Sequence, residues 1–399
     1  RAAGVQAHPG GRGGVGVEPV AARVAGAELV VGRGLQRVGR RLVGGDGPSG
    51  TPDQLELEAA GLLERGSTVT LAASRGGEAV PIVSVALTVS PAGAAEVLGG
   101  GQLRLLRAGT VTVTGMAGGA TGEVELDVAR PPTVVFDRIA NGNRDVWKVA
   151  LDGGELTRLT DHALDDLDPT AADGKVVFVS YRAGNAELYS VPLAGGEAAR
   201  LTTTAHNETS PALSPDGDRL AYVHDVSGVG KLWTAAPSGS GAARATTGFG
   251  FSGSVESSPA WAPTGSRLAF VATPAGSADL YTFDLGGTPA LVGSSGSADV
   301  EPAWSPDGEW VAFASNRAGS AGIDLYLLRV STGAVTRLTS TAGSEAMPAW
   351  TPDGRLVFVQ RAGAATGLRW IDPGAPATVH AIATGAGEVS NPSVAAGGA

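Results

Sequence analysis

Downstream of residue 133 the apolar residues fall in short runs, each closed by a polar, glycine-bearing stretch, and the runs recur in a fixed order. One unit reads PALSPDGDRLAYVHDVSGVGKLWTAAPSGSGAARATT. Runs this brief, bounded by turn residues, predict β-strands. The PAL or PAW triplet is a short strand A. In the SPDG or TPDG that follows, proline presets φ at the first corner, aspartate bonds its own downstream backbone, and glycine takes the positive φ that closes the hairpin. Strand B follows at 176–179, 220–223, 268–271, 311–314 and 356–359, then a polar loop such as YRAGN or SNRAGS. Strand C carries an aromatic at one place in every unit (Trp147, Tyr189, Trp233, Tyr281, Tyr326 and Trp370), and a Gly-rich turn leads to strand D, as in TRLT at 157–160 and 336–339. Large aromatics at fixed repeat positions predict packing between units, each covering an apolar face that one small sheet cannot bury alone.

The strand A prolines are Pro169, Pro211, Pro259, Pro302, Pro348 and Pro392, at spacings of 42, 48, 43, 46 and 44 residues. A period in the forties with several short strands per unit is the mark of a β-propeller. The repeats open with a strand B at 133–136 that has no strand A before it, and the C-terminal NPSVAAGG is a strand A with little else. A last strand that completes the first blade removes two exposed edges. The prediction is an all-β chain whose residues 133–399 form a six-bladed propeller, closed by one C-terminal and three N-terminal strands.

SPDG followed by LAF, then R-x-G, then LY, then RLT, resembles the TolB-like family of six-bladed propellers built from PD40 (WD40-like) repeats, over about residues 133–398. The second blade departs at its turn (TAADG), the fourth has PTG for PDG, and the last unit has VAAGG. The resemblance implies a bacterial cell-envelope role; in TolB itself it would imply contact with a peptidoglycan-associated lipoprotein. TolB's N-terminal domain is not Ig-like, so that specific role is not carried over.

Residues 52–130 alternate apolar and polar positions over LELEA (55–59), STVTLAAS (67–74), VPIVSVALTVS (80–90), QLRLLRAG (102–109), TVTVTGMA (110–117) and EVELDVA (123–129). This is the period of half-buried strands and predicts a small β-sandwich. RAGTVTVTGMAGGATGEVELDV resembles the last strands of a bacterial Ig-like (Big) domain, which implies a spacer or adhesion unit. Arg130-Pro131-Pro132 reads as a stiff hinge before the ring. Residues 1–50 hold fourteen Gly, seven Arg and no aromatic, which predicts a disordered tether or a misread N-terminus. No apolar stretch there reads as a signal peptide. GGDGPSGTPD (44–53) resembles the tether behind the lipidated Cys of bacterial lipoproteins and implies a lipid anchor at a true N-terminus, although this chain has no Cys.

Composition narrows the partners. The formal charge is −10; the first fifty residues carry +4, so the remainder carries about −14. A surface that acidic argues against nucleic acid and anionic membranes. Zero Cys excludes disulfides, a thiol nucleophile and Cys-ligated metals. The expectation is a monomeric extracytoplasmic protein of the periplasm or cell surface.

In a propeller the D-to-A and B-to-C loops emerge on one face. Three residues before the strand A proline stand Asp166, Glu208, Glu256, Asp299 and Glu345; the sixth equivalent is Val389, with Glu388 beside it. The B-to-C loops offer Arg138, Arg182, Arg317 and Arg361. Repeated polar positions in repeat folds solve repeated packing problems, which predicts a ring of inter-blade ion pairs. The same residues, with His206 and His224, also suit a charged mouth that receives an envelope protein's basic segment or a small polar ligand. TDHALDDLDP places Asp161, Asp165, Asp166 and Asp168 in eight residues. Such oxygen-rich loops suit Ca²⁺, although the spacing is not an EF-hand. His162, His206 and His224 offer a metal site of the kind found in related propeller lyases that act on pectic fragments. No G-x-S-x-G occurs, which speaks against the serine peptidases that carry similar blades. The chain therefore reads as a non-catalytic envelope binding or scaffold protein, with a metal-assisted polysaccharide lyase and a purely structural surface protein as the alternatives.

Overall fold

The computed structural model describes residues 55–395 apart from 62, 248, 250–252, 275, 294, 295, 320 and 321; the expected tether at 1–50 lies outside the described residues. Apart from one 3-10 turn at Ile82–Ser84, every described regular element is a β-strand.

The N-terminal unit has two sheets. Leu55–Ala60, Thr68–Arg75, Gln102–Leu105 and Ala95–Gly99 pair in that order, with Glu78–Val80 added beside Thr68–Arg75; Ala86–Ser90, Gly109–Ala117 and Ala120–Val128 form the second sheet. Alternation sends Leu55, Leu57, Val69, Leu71, Val111 and Val113 inward to one core shared by both sheets. The sheets approach so closely that a Cβ on Gly122 would lie 1.9 Å from the carbonyl oxygen of Leu55. The apolar run at 80–90 is two strands rather than one, because Pro81 and the 3-10 turn interrupt it. Ala95–Gly99 is an edge strand absent from the sequence reading: its residues are mostly exposed and carry no alternation.

The ring has the expected closure. In blade I, Val389–Ala395 pairs with Thr133–Ala140, followed outward by Asn143–Ala150 and Thr157–Arg158. Blades II to VI each hold four consecutive strands, beginning with strands A at Asp166–Ala172, Asn207–Leu213, Glu256–Trp261, Asp299–Trp304 and Ser344–Trp350. The six A strands line a central channel. Phe136, Phe178, Phe270, Phe313 and Phe358 on the B strands are fully buried, and apolar clusters run from one blade into the next.

Strand C aromatics pack into cores shared with a neighbouring blade, as expected; in five blades Trp147, Tyr189, Trp233, Tyr281 and Tyr326 each also pair across from the aromatic of strand B. Blade VI differs in register. Its tight hairpin pairs Ala362 with Ala365, which sets Phe358 opposite Arg369 and moves Trp370 one place on, opposite Val357. Trp370 still packs against the core that blades VI and I share, stacks on His380, with ring centroids 3.9 Å apart, and lies 5.2 Å beneath the guanidinium of Arg355.

That arginine ties the two units together. Arg355 is 4% exposed and forms an ion pair with the buried Glu64 of the sandwich. Burial pushes Glu64 up from its ordinary carboxylate pKa, against the opposing pull of Arg355. Arg65 forks to Asp152 (2.8 Å) and Glu155 (2.7 Å). Pro131 and Pro132 are both buried, and Pro132 accepts a hydrogen bond from Leu151 N at 2.9 Å, so the linker is a packed joint rather than a hinge. The sandwich thus sits at the A-to-B turn of blade VI and the C-to-D turn of blade I, on the face opposite the D-to-A loops.

Two outcomes follow from this architecture. Removing residues 389–399 leaves Thr133–Ala140 without its inner partner; circular-dichroism melting should shift to lower temperature and size-exclusion chromatography should show association through the open edge. Arg355→Ala should lower stability in urea by about 3–5 kcal/mol because Glu64 is left charged and buried, and adding Glu64→Gln should recover most of that loss.

Candidate functional site

The five repeated carboxylates sit at the head of strand A, and each is 0% exposed. Their partners differ by blade. Asp166 is held by Arg182 (2.7 Å) and Asp299 by Arg317 (2.7 Å), within a single blade in both cases rather than across to a neighbour. Ser180 and Ser315 bind the same guanidinium groups from strand B, and the rings of Tyr189 and Tyr326 lie beneath them at 4.8 and 5.2 Å. Glu256 alone of the five reaches a lysine of the preceding blade, Lys231 at 3.2 Å, and it also accepts from Leu232 N (2.9 Å) and Thr246 Oγ1 (2.6 Å). Glu208 accepts from Thr204 Oγ1 and faces His224 Nδ1, each at 2.7 Å. Glu345 is bound by Gln360 (3.2 Å) and by the Thr341 hydroxyl. The repeated acids therefore form clips beneath the surface of the loop face, not an exposed charged rim.

The remaining candidates are dispersed. Arg138 and Arg361 lie in strand B rather than in loops, because tight hairpins prolong the strands of blades I and VI. Arg138 packs 4.0 Å over the ring of Trp147 and donates to Thr384 O at 2.7 Å. Arg361 is half exposed and pairs with Glu388 at 3.1 Å. His224 is in strand B of blade III, its ring 5.2 Å from that of the exposed His206 and 5.0 Å from that of Trp233. His162 turns back on its own loop, where Nδ1 accepts from Leu164 N at 3.1 Å. Among the described residues no three His, Cys, Asp or Glu side chains converge as a metal site would require. The TDHALDDLDP carboxylates likewise part company. Asp161 pairs with Arg158 (2.7 Å), Asp165 accepts from Arg144 N (2.8 Å), Asp166 joins Arg182, and Asp168 lies in the channel.

Three groups of residues escaped the sequence reading. A second row of buried acids opens strand C: Asp145, Glu187, Asp279 and Asp324. The Arg of the TRLT motif and its equivalents binds three of them, as Arg158–Asp145 (2.6 Å), Arg200–Glu187 (2.8 Å) and Arg337–Asp324 (2.7 Å). The motif was legible, but its partner needed the strand C–strand D register. Asp137 supplies the acid that blade I lacks at Val389: it accepts from Ser390 Oγ (2.6 Å) and Asn391 Nδ2 (2.8 Å) and pairs with Arg144. The third group is the channel waist. Asp168, Ser210, Ser258, Glu301, Met347 and Asn391, each just before a strand A proline, all take φ between 48° and 55°. A β-bulge at this point in every strand A supplies the extra residue. They line a cavity of about 180 Å³ that widens into a funnel of about 490 Å³ walled by Trp261, Trp304 and Trp350. Burial, with the charge of Asp137 added, pushes Asp168 up to about 6.

What the loop face shows to solvent is apolar as well as acidic. Leu164, Tyr181, Val226, Val229 and Val255 are exposed on its D-to-A and B-to-C segments, next to exposed Asp161 and Asp165.

Six four-stranded blades closed between the two ends of the repeat region define a six-bladed β-propeller. The PD40 family, the TolB β-propeller domain, matches residues 131–250 and 242–398, and the chain belongs to it. Among solved structures it is similar to TolB from Acinetobacter baumannii (18% identity, 78% of this chain and 82% of that one, TM-score 0.62). It is also similar to a putative TolB from Agrobacterium tumefaciens (19% identity, 63% and 88%, TM-score 0.52). A chain of a nidogen/laminin complex shares the fold at 10% identity (66% and 98%, TM-score 0.53). At these identities the likeness concerns the fold. No curated protein matches the chain.

If the clips are structural, Arg182→Ala should cost about 3–5 kcal/mol in urea unfolding by stranding the buried Asp166. Asp166→Asn on that background should restore part of the loss.

Proposed function

We propose that the protein is a non-catalytic binding or scaffold module of the bacterial cell envelope, acting outside the cytoplasm, that receives its partner on the D-to-A and B-to-C loop face. One observation carries this reading. Of the seven exposed large hydrophobic residues in the described propeller, five (Leu164, Tyr181, Val226, Val229 and Val255) are on that face, while the sandwich is anchored on the other. Apolar exposure gathered on one face and bordered by charge is the composition of a protein interface. The exposed Asp161 and Asp165, with the half-exposed Glu388, suit a partner whose apolar contact is bordered by basic residues, or a small polar cationic ligand. The buried clips give this face its rigidity, because each loop is fixed at its base by an ion pair or a charge-assisted hydrogen bond. Membership in the TolB propeller family supports the envelope assignment, and the sandwich would serve as a spacer or adhesion unit.

The test is capture from envelope extract with the wild-type chain and with Leu164→Asp combined with Tyr181→Ala, both first shown folded by circular dichroism. A partner held by the wild type and lost by at least about tenfold in the variant supports the reading. Equal capture by both moves the site to the channel or the sandwich.

A further inference from the structure

The acid that opens each strand A meets, across the seam between blades, the residue that opens strand C of the preceding blade. The backbone fixes this contact: Glu208 N donates to Ala186 O (2.9 Å), Asp299 N to Ala278 O (2.8 Å) and Glu345 N to Ile323 O (2.8 Å). Between blades III and IV the pair is Lys231 and Glu256, which complement each other in charge. Between blades II and III it is Glu187 and Glu208, two carboxylates that are both 0% exposed.

Their donors all gather on one side. Arg200 (2.8 Å) and Asn185 (3.2 Å) bind Oε1 of Glu187, while Thr204 and His224 (both 2.7 Å) bind Oε1 of Glu208. Oε2 of each acid is buried without a donor, and the two side chains are hydrogen-bond partners of each other. Two carboxylates make such a bond only through a proton. Burial pushes Glu208 up from its ordinary value, with Glu187 adding to the rise; burial also pushes Glu187 up, but its hydrogen bonds to Thr202 and Arg200 outweigh this and hold it lower. Both effects draw the shared proton toward Glu208. The other titratable and charged groups around the pair are Arg200 on strand D, His206 in the loop, Tyr222 and His224 on strand B of blade III, and Lys231 opposite His224.

We propose that Glu187 and Glu208 share one proton across the seam between blades II and III, and that its release frees the D-to-A loop at 202–207 on the loop face. Thr204 links the two events, since its hydroxyl donates to Glu208 and accepts from His206 N at 3.0 Å. The sign follows from linkage. An acid whose folded pKa is raised contributes its full stability below the ordinary value of 4.5 and loses it as pH climbs through the raised value. Opening of the loop should therefore become more favourable with rising pH, approaching tenfold per pH unit while one proton is released.

The experiment is amide hydrogen exchange at 202–207 in the full chain between pH 5 and 8, corrected for intrinsic rates, in the wild type, Glu208→Gln and Glu187→Gln. The expected result is a rise in opening with pH for the wild type that levels off once Glu208 has ionised, a flat profile for Glu208→Gln, which keeps the hydrogen bond without a titrating proton, and a shallower rise for Glu187→Gln, where burial still acts on Glu208. Asp168, titrating near 6 in the channel, acts equally on all three proteins. Glu256→Gln is the contrasting case, expected to lower protection of its own loop at every pH because Lys231 loses its partner. Equal pH slopes in the wild type and the amides would overturn the proposal. So would failure of both amides to fold, since each reproduces the neutral partner that the seam already contains; if only one folds, its slope decides.

Discussion

A four-stranded blade has two apolar faces and no interior of its own, so each face must be covered by the next blade and the ring must close. Everything else in the structure depends on this. The buried phenylalanines of strand B, the aromatics of strand C and the C-terminal strand beside Thr133–Ala140 all serve the same end. Because closure joins residues more than 240 apart in sequence, as in the contacts of Ser390 with Arg144 and Asp137, stability belongs to the ring and not to any single repeat.

Closure brings polar strand ends together as well as apolar faces, and there the blades diverge. The first residues of strand A and of the preceding strand C meet at every seam, and a carboxylate at that depth needs a cation, a set of hydroxyl or amide donors, or a proton. Blades II and V use an arginine from their own B-to-C loop, blade IV uses the lysine of blade III, and blade III relies on a threonine and a histidine. Repetition of the fold thus coexists with variation in how each seam is neutralised, and the seam between blades II and III brings two buried carboxylates into direct contact.

The sandwich and the propeller are joined by a buried ion pair, a forked surface arginine and two buried prolines. A joint with that much burial orients the two units instead of tethering them loosely. It also divides the labour of the ring's two faces, one docked against the sandwich and the other open, with its apolar side chains set above the buried clips.

The period of the PAW-SPDG unit, the alternation within each run and the orphan strands at the two ends determined the fold, because strand pattern, turn chemistry and edge closure are local properties that survive in a linear string. The positions of the five strand A acids were legible for the same reason, whereas the row of acids on strand C was not. The environments of the strand A acids were not legible either. Asp166 and Glu208 look alike in sequence, yet one finds Arg182 and the other shares a seam with Glu187, since burial and partnership are set by neighbours in space. The same reasoning explains why Trp370 left its expected register, why Arg355 became the link to the sandwich and why Asp137 replaced the missing acid of blade I. Hairpin length, blade-to-blade contact and domain docking decided these, and all three are properties of the closed ring.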